Sequence, residues 1–490
     1  MKRSVIFLVL AVLACGGPRA AGGPGFDTYF VDATMRVDFF HIGHATEDLV
    51  SLDRVYRQGI WAGSKAALID PLNLGRYLVK VTDAATGTLI FSRGFDSYFG
   101  EYKTSDAAAQ GVRRTYHETA LIPYPRKPVL FAVEMRDRQN VFRPLFSQEI
   151  DPEASTVLRE SLVSGVKVIE VLKSGDAHRK VDLAFVAEGY TEGEEAKVRA
   201  DLDRFAAILF KLEPYKSNRD KFNIYGVFKP SAESGPDEPS HGVFKSTAVG
   251  TTFDSLGSER YLLTEDNRSL RDIAAHVPYD ALAIMVNHER YGGGGIYNLY
   301  CTFTTDNQWH EYLFLHEFGH SFTGLADEYY TSEVAYNEFY PRGVEPVEPN
   351  ITALLDPARL KWADLVSPGV EVPTLWEKAE FDRMDNAYQS TRSDINAKIA
   401  RMKREGAGAA EVAAAEEESE RLSREHAAKV DDFLRKSRYW EKVGAFEGAG
   451  YASQGLFRPQ LDCLMFTKGT KPFCKVCEAA VRRTIERFTK

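Results

Sequence analysis

From about residue 27 to residue 150 the chain alternates apolar and polar positions in short runs. TYFVDATMRVDFF, RYLVKVTD, TLIFSRGF and PVLFAVEMRD are the clearest, and each is bounded by Gly, Pro or Asp. A period of two sends successive side chains to opposite faces of a strand, so this stretch predicts an all-β, sandwich-like domain over 25–152. Its His41 and His44 form an HxxH pair with no third ligand nearby and are assigned no function. Beyond residue 165 the pattern changes. VKVIEVLKSGDAHRKVDLAFVAEGY at 166–190 reads as strands, EGEEAKVRADLDRFAAILFKL has helical spacing with acids in its first turn, and FNIYGVF and DALAIMVN are further buried-strand runs. Strands alternating with helices predict an α/β domain over 165–490 with a mixed, mainly parallel sheet. Between 385 and 440 Ala, Glu, Lys and Arg dominate, with one apolar stripe at Ile395, Ile399 and Met402 and another at Leu422, Val430, Phe433 and Leu434. Gly406 and Gly408 separate them, which predicts a helical hairpin inserted in that domain, with His426 on its surface.

The segment EYLFLHEFGHSFTGLADEYY at 311–330 carries the candidate chemistry. In a helix His316 and His320 stand one turn apart on one face, so two imidazoles can meet one Zn²⁺ while Glu317 reaches its water as general base. Catalytic zinc takes three protein ligands, and the third must come from beyond the helix. Gly324 is placed to end the helix and to turn the chain so that Asp327 returns to the metal, with Glu328 as the alternative. For an oxyanion donor, Tyr329, Tyr330 and Tyr451 stay open. The run Gly292 to Gly295 reads either as a sheet edge along which substrate lies or as a flexible loop. Asp237 and His241 fall in a Ser-, Gly- and Pro-rich stretch and are assigned to a loop beside the site.

HEFGHSFTGLADEYY, LAFVAEGYTEGEEAKV at 183–198, RYGGGGIYNLY at 290–300 and VGAFEGAGYASQGLFRPQLDCLMF at 443–466 occur in this order. Together they resemble the bacterial IgA-peptidase family of zinc metallopeptidases, and the stretch from about 27 to 150 is similar to that family's amino-terminal β domain. The resemblance implies a metzincin-like α/β peptidase domain acting on protein or peptide substrates. It implies His316, His320 and Asp327 as zinc ligands, Glu317 as general base and Met465 as the methionine of a Met-turn. Thr323 departs from the family's small residue, often Gly, and the glycine and acid stand one position later than in HExxHxxGxxH/D.

Met1 to Ala14 has the charged start and short apolar run of an export signal, which is assigned to residues 1–22. Cys15 after Val12-Leu13-Ala14 resembles a lipobox, and the expected location is extracytoplasmic, as an outer-membrane or cell-surface lipoprotein or as a secreted enzyme cleaved near Ala20. A net charge of -9 offers no footprint for nucleic acid. Cys301, Cys463, Cys474 and Cys477 allow three pairings, and a disulfide near Met465 is expected to pin the floor of the site; a zinc site at Cys474-x-x-Cys477 lacks a second CxxC. The expected function is therefore an exported zinc endopeptidase. Two other classes stand beside it, a surface adhesion protein with a vestigial site and a zinc amide hydrolase acting on cell-wall peptides. Substrate preference and oligomeric state are not written in the sequence.

Overall fold

The computed structural model describes residues 25–331 and 339–490; the expected export signal and Cys15 lie outside the described residues. Residues 30 to 158 form two four-stranded sheets. One runs in the order Arg114–Pro125, Phe30–His44, Glu47–Arg57, Val157–Leu158, the other Leu89–Phe95, Tyr77–Asp83, Val129–Arg136, Phe142–Ile150. Neighbours are antiparallel except at the two-residue Val157–Leu158 edge. Alternation decides what is buried: Tyr77, Val79 and Val81 from one strand and Val129, Phe131 and Val133 from its neighbour meet Met35, Val37 and Phe39 across a single apolar core. Each such side chain, fully withdrawn from water, stabilises the fold by about 1.5–3 kcal/mol.

His41 is fully buried in this region. Its Nδ1 lies 3.0 Å from Glu118 Oε2, its Nε2 meets Asp48, and its ring stacks on Phe99. Burial alone would lower its pKa, yet the neighbouring charges of Glu118 and Asp48 raise it to about 9. The folded value exceeds the unfolded one, so the ionised ring contributes stability that is complete below about pH 6.5 and is lost as pH rises through about 9. In urea titrations the stability difference between wild type and His41→Gln is expected to shrink by about 3 kcal/mol from pH 6 to pH 10. A difference that does not vary with pH would remove the charged-ring reading.

The second region is organised by a six-stranded sheet in the order Gly293–Ile296, Tyr300–Thr304, Ala281–Val286, Val181–Glu188, Phe222–Phe228, Lys167–Leu172. Its four middle strands are mutually parallel and both edges are antiparallel. Every residue of Val181–Glu188 and Phe222–Phe228 is buried, which is why these strands read as continuous apolar runs. Leu183 and Phe185 face the helices Glu195–Leu209 and His310–Thr323, whereas Ala184 and Val186 face Leu270 and Ile273 of the helix Asn267–Ala274. Two 27-residue helices, Lys378–Arg404 and Ala409–Arg435, form the charged pair, turning at Gly406 (φ 71°). Among the described residues no helix is long and apolar enough to cross a membrane.

Candidate active site

The helix His310–Thr323 sits on the sheet through Phe314, whose ring centroid lies 4.7 Å from Phe303 and 5.6 Å from Phe205. That packing turns His316 and His320 toward a cleft. Their Nε2 atoms are 3.1 Å apart. His316 Nδ1 lies 3.1 Å from the Leu464 carbonyl and His320 Nδ1 lies 2.6 Å from that of Leu325. A carbonyl only accepts, so both Nδ1 atoms carry a proton and both Nε2 atoms are turned to the cleft, each able to offer a lone pair once its own proton is released.

Thr323 is the last helical residue, and Gly324 follows in the left-handed region (φ 68°) with its N–H on the His320 carbonyl at 2.9 Å. The chain then runs back under the histidines as a strap pinned from afar. Ala326 N–H donates to Asn350 Oδ1 (2.8 Å), Gly450 N–H to the Asp327 carbonyl (3.0 Å) and Glu328 N–H to the Met465 carbonyl (2.8 Å). The strap forms no strand, and these anchors set where its side chains point. Asp327 Oδ1 therefore comes to 3.0 Å from His316 Nε2 and 3.2 Å from His320 Nε2, while Glu328 turns away, taking Asn350 Nδ2 at 3.0 Å. Of the two candidate acids, Asp327 is the one brought to the histidines.

The three atoms make a triangle with sides of 3.0 to 3.2 Å. Tetrahedral zinc with bonds of about 2.0–2.1 Å holds its donors roughly 3.3 Å apart, so this N, N, O set fits the ion with a small expansion. Three hydrogen bonds fix the donors: Leu464 orients His316, Leu325 orients His320, and the Tyr451 hydroxyl donates to Asp327 Oδ2 at 2.5 Å. Burial would raise Asp327, but its hydrogen bonds and charge interactions with His320 and His316 hold its carboxyl well below the usual range; burial would lower His320, and Asp327 raises it to about 9. Glu317 faces the same space. Burial raises its pKa, opposed by the two imidazoles.

Of the three candidate phenols, Tyr451 is committed to Asp327 and Tyr330 donates to Asp382 at 2.7 Å, away from the cleft. Tyr329 lines the cleft, its oxygen accepting from Arg260 Nη2 at 2.8 Å. Met465 is fully buried under the helix, its Sδ 3.1 Å from where a Cβ on Gly319 would stand. The glycine run is not a loop: Gly293–Ile296 is the edge strand of the sheet, and Gly293 exchanges its outward N–H and C=O with Arg260 and Leu262 of this same chain. That part of the edge is therefore already paired, which limits any substrate pairing to the rest of the strand.

Two further expectations are revised, those on His426 and on the cysteines. His426 is not a surface residue; it lines the cleft, its Nε2 2.5 Å from Asp385 and its ring stacked 3.9 Å from Tyr388. His241 pairs with Glu238 at 2.7 Å, and Asp237 instead accepts the Lys245 N–H. The expected disulfide is absent: all four cysteines are free and buried, with Cys463 and Cys477 sulfurs 3.8 Å apart, far beyond the roughly 2.05 Å of an S–S bond. Sequence reasoning also missed Arg260, Asn350 and Leu464, which act through individual hydrogen bonds and leave no periodic signal.

The roof of the cleft comes from the helical pair, through Tyr388 and Arg392 of one helix and His426 and Val430 of the other, and Asp96 and Glu101 of the amino-terminal region complete one wall. A profile described as IgA Peptidase M64 matches residues 169–485, and one described as Peptidase M64 N-terminus matches residues 25–147. No curated protein matches the chain. With the profiles of both parts matched in order along most of its length, the chain belongs to the IgA peptidase M64 family.

Proposed function

We propose that this chain is a zinc-dependent endopeptidase in which His316, His320 and Asp327 hold the ion and Glu317 is the general base. The observation that carries the reading is the triangle of donor atoms with both Nδ1 protons tied down, beside the Glu317 carboxylate, which has an oxygen within 4.8 Å of a ring nitrogen of each histidine. When bound, zinc lowers the pKa of a water and polarises the scissile carbonyl. Glu317 accepts the water's proton at its carboxylate and returns it to the leaving amine; the burial that raises its pKa suits it to both transfers. Tyr329 is the phenol assigned to the developing oxyanion, because the Arg260 N–H on its oxygen makes its own O–H a better donor. Tyr451 keeps Asp327 oriented. Met465 beneath the helix supports the metzincin-like reading.

The same proposal includes export, on the strength of Met1 to Ala14 alone, with Cys15 as the candidate lipid site. Binding by a vestigial site is disfavoured by the full complement of donors.

Dialysis against a chelator is expected to abolish cleavage of a fluorogenic peptide library and of casein, and stoichiometric zinc is expected to restore it. Full cleavage by protein shown to be metal-free would end the zinc reading. Cleavage confined to cell-wall peptides would keep the chemistry and move the substrate class.

A further inference from the structure

Behind the strap, on the side opposite the histidines, Glu328 meets three cysteines. Glu328, Cys463, Cys474 and Cys477 each offer a ligand atom within 4.8 Å of all the others, and each residue is 3% exposed or less. The Cys463 and Cys477 sulfurs are 3.8 Å apart, and Glu328 Oε1 lies 3.3 Å from Cys477 Sγ and 3.9 Å from Cys474 Sγ. Zinc–sulfur bonds of about 2.3 Å at tetrahedral angles place two sulfurs about 3.8 Å apart, and zinc–oxygen bonds of about 2.0–2.2 Å bring sulfur and oxygen to roughly 3.5 Å. Two backbone amides point at sulfur, Cys474 N–H at Cys463 (3.2 Å) and Cys477 N–H at Cys474 (3.4 Å). Such donors favour thiolate over thiol. Cys474 also caps the 14-residue helix Lys475–Phe488, whose amino-terminal end favours negative charge. A second observation points to a ligand: Glu328 Oε2 is fully buried and has no hydrogen-bond partner among the described residues.

We infer that Glu328, Cys463, Cys474 and Cys477 form a second metal site, a closed S₃O centre for Zn²⁺, distinct from the cleft and independent of whether the His316 site works as proposed. Three soft sulfurs and one carboxylate within 4.8 Å of one another select zinc over the harder cations. Loading one divalent ion forms three metal–sulfur bonds and one metal–oxygen bond and releases three thiol protons to solvent, with a fourth from Glu328 where its carboxyl is protonated. No electrons are transferred. Because all four corners are protein, the centre is structural. What it would clip together is specific: Glu328 follows Asp327, and Cys463 stands two residues before Met465, whose carbonyl takes the Glu328 N–H. The ion therefore joins the strap carrying Asp327 to the turn carrying Leu464 and Met465 and to the carboxy-terminal helix.

Elemental analysis of the purified full chain is expected to find two zinc ions per protein. The double variant His316→Ala/His320→Ala is expected to keep one, and its zinc X-ray absorption should show a shell of three sulfurs at about 2.3 Å. In native protein Cys463, Cys474 and Cys477 should resist a thiol reagent and become reactive together once the protein is denatured with chelator. Cys474→Ser is expected to lose one zinc equivalent. The inference is overturned if wild type holds one zinc and the double-histidine variant none, or if mass analysis of the denatured, unreduced chain finds Cys463 bonded to Cys474 or Cys477. These outcomes are separable from failure of the peptidase reading, which would remove activity or the nitrogen-bound ion and leave the sulfur-bound one.

Discussion

Glu317→Gln is expected to lower kcat/KM for peptide cleavage by about 10²- to 10⁴-fold while leaving metal content and Tm unchanged. The side chain of Glu317 passes over Gly293, where a Cβ would stand 3.1 Å from Glu317 Cγ, and it carries no part of the donor triangle formed by His316, His320 and Asp327. Glutamine has the same shape and cannot take a proton, so the substitution removes the proposed base and little else. Metal analysis beside a fluorogenic assay separates the two functions: activity within a few-fold of wild type would remove Glu317 from the chemistry, and loss of metal along with activity would make it a ligand.

The second large effect is expected at Gly295. A Cβ there would lie 2.4 Å from the Glu317 carbonyl oxygen and 2.8 Å from His320 Cβ, which belong to the helix itself and cannot move aside without carrying the site with them. Gly295→Ala is expected to cost about 1–3 kcal/mol through overpacking and, by shifting the histidines about an ångström, to lower kcat/KM about 10²-fold. Gly294→Ala is the internal comparison. Its Cβ would meet the tip of Leu263 at 2.6 Å, a side chain that can rotate, so a milder loss is expected. Equal Tm and kcat/KM for wild type and Gly295→Ala would show that the strand and helix are not in the close contact described.

What the sequence made legible follows from period. His316 and His320 share a face because a helix repeats every 3.6 residues, and the amino-terminal strands announced themselves by alternation. The preference for Asp327 over Glu328 rested on the turn at Gly324 and on the resemblance alone, because the course of the irregular strap is set by Asn350, Gly450 and Met465, far away in the chain. The cysteines misled for a related reason. Cys474-x-x-Cys477 lacks a second CxxC because the remaining members of its cluster are Cys463 and, 146 residues before Cys474, Glu328. The glycine run signalled close approach correctly, but the pairing of Gly293 with Arg260 and Leu262 depends on a segment with no strand pattern. His426 looked like a solvated helix residue because its partners, Asp385 and Tyr388, lie on the other helix of the pair.

The paired helices over the cleft set a kinetic rule for whatever is cut. Tyr388 and Arg392 of one helix and His426 and Val430 of the other line the approach to Glu317, and a polypeptide is expected to reach it as a single strand, without its neighbours. A folded target must first expose such a segment by its own fluctuations. Turnover on native proteins should therefore track how often the target opens, and hinges and linkers should be severed long before stable domains.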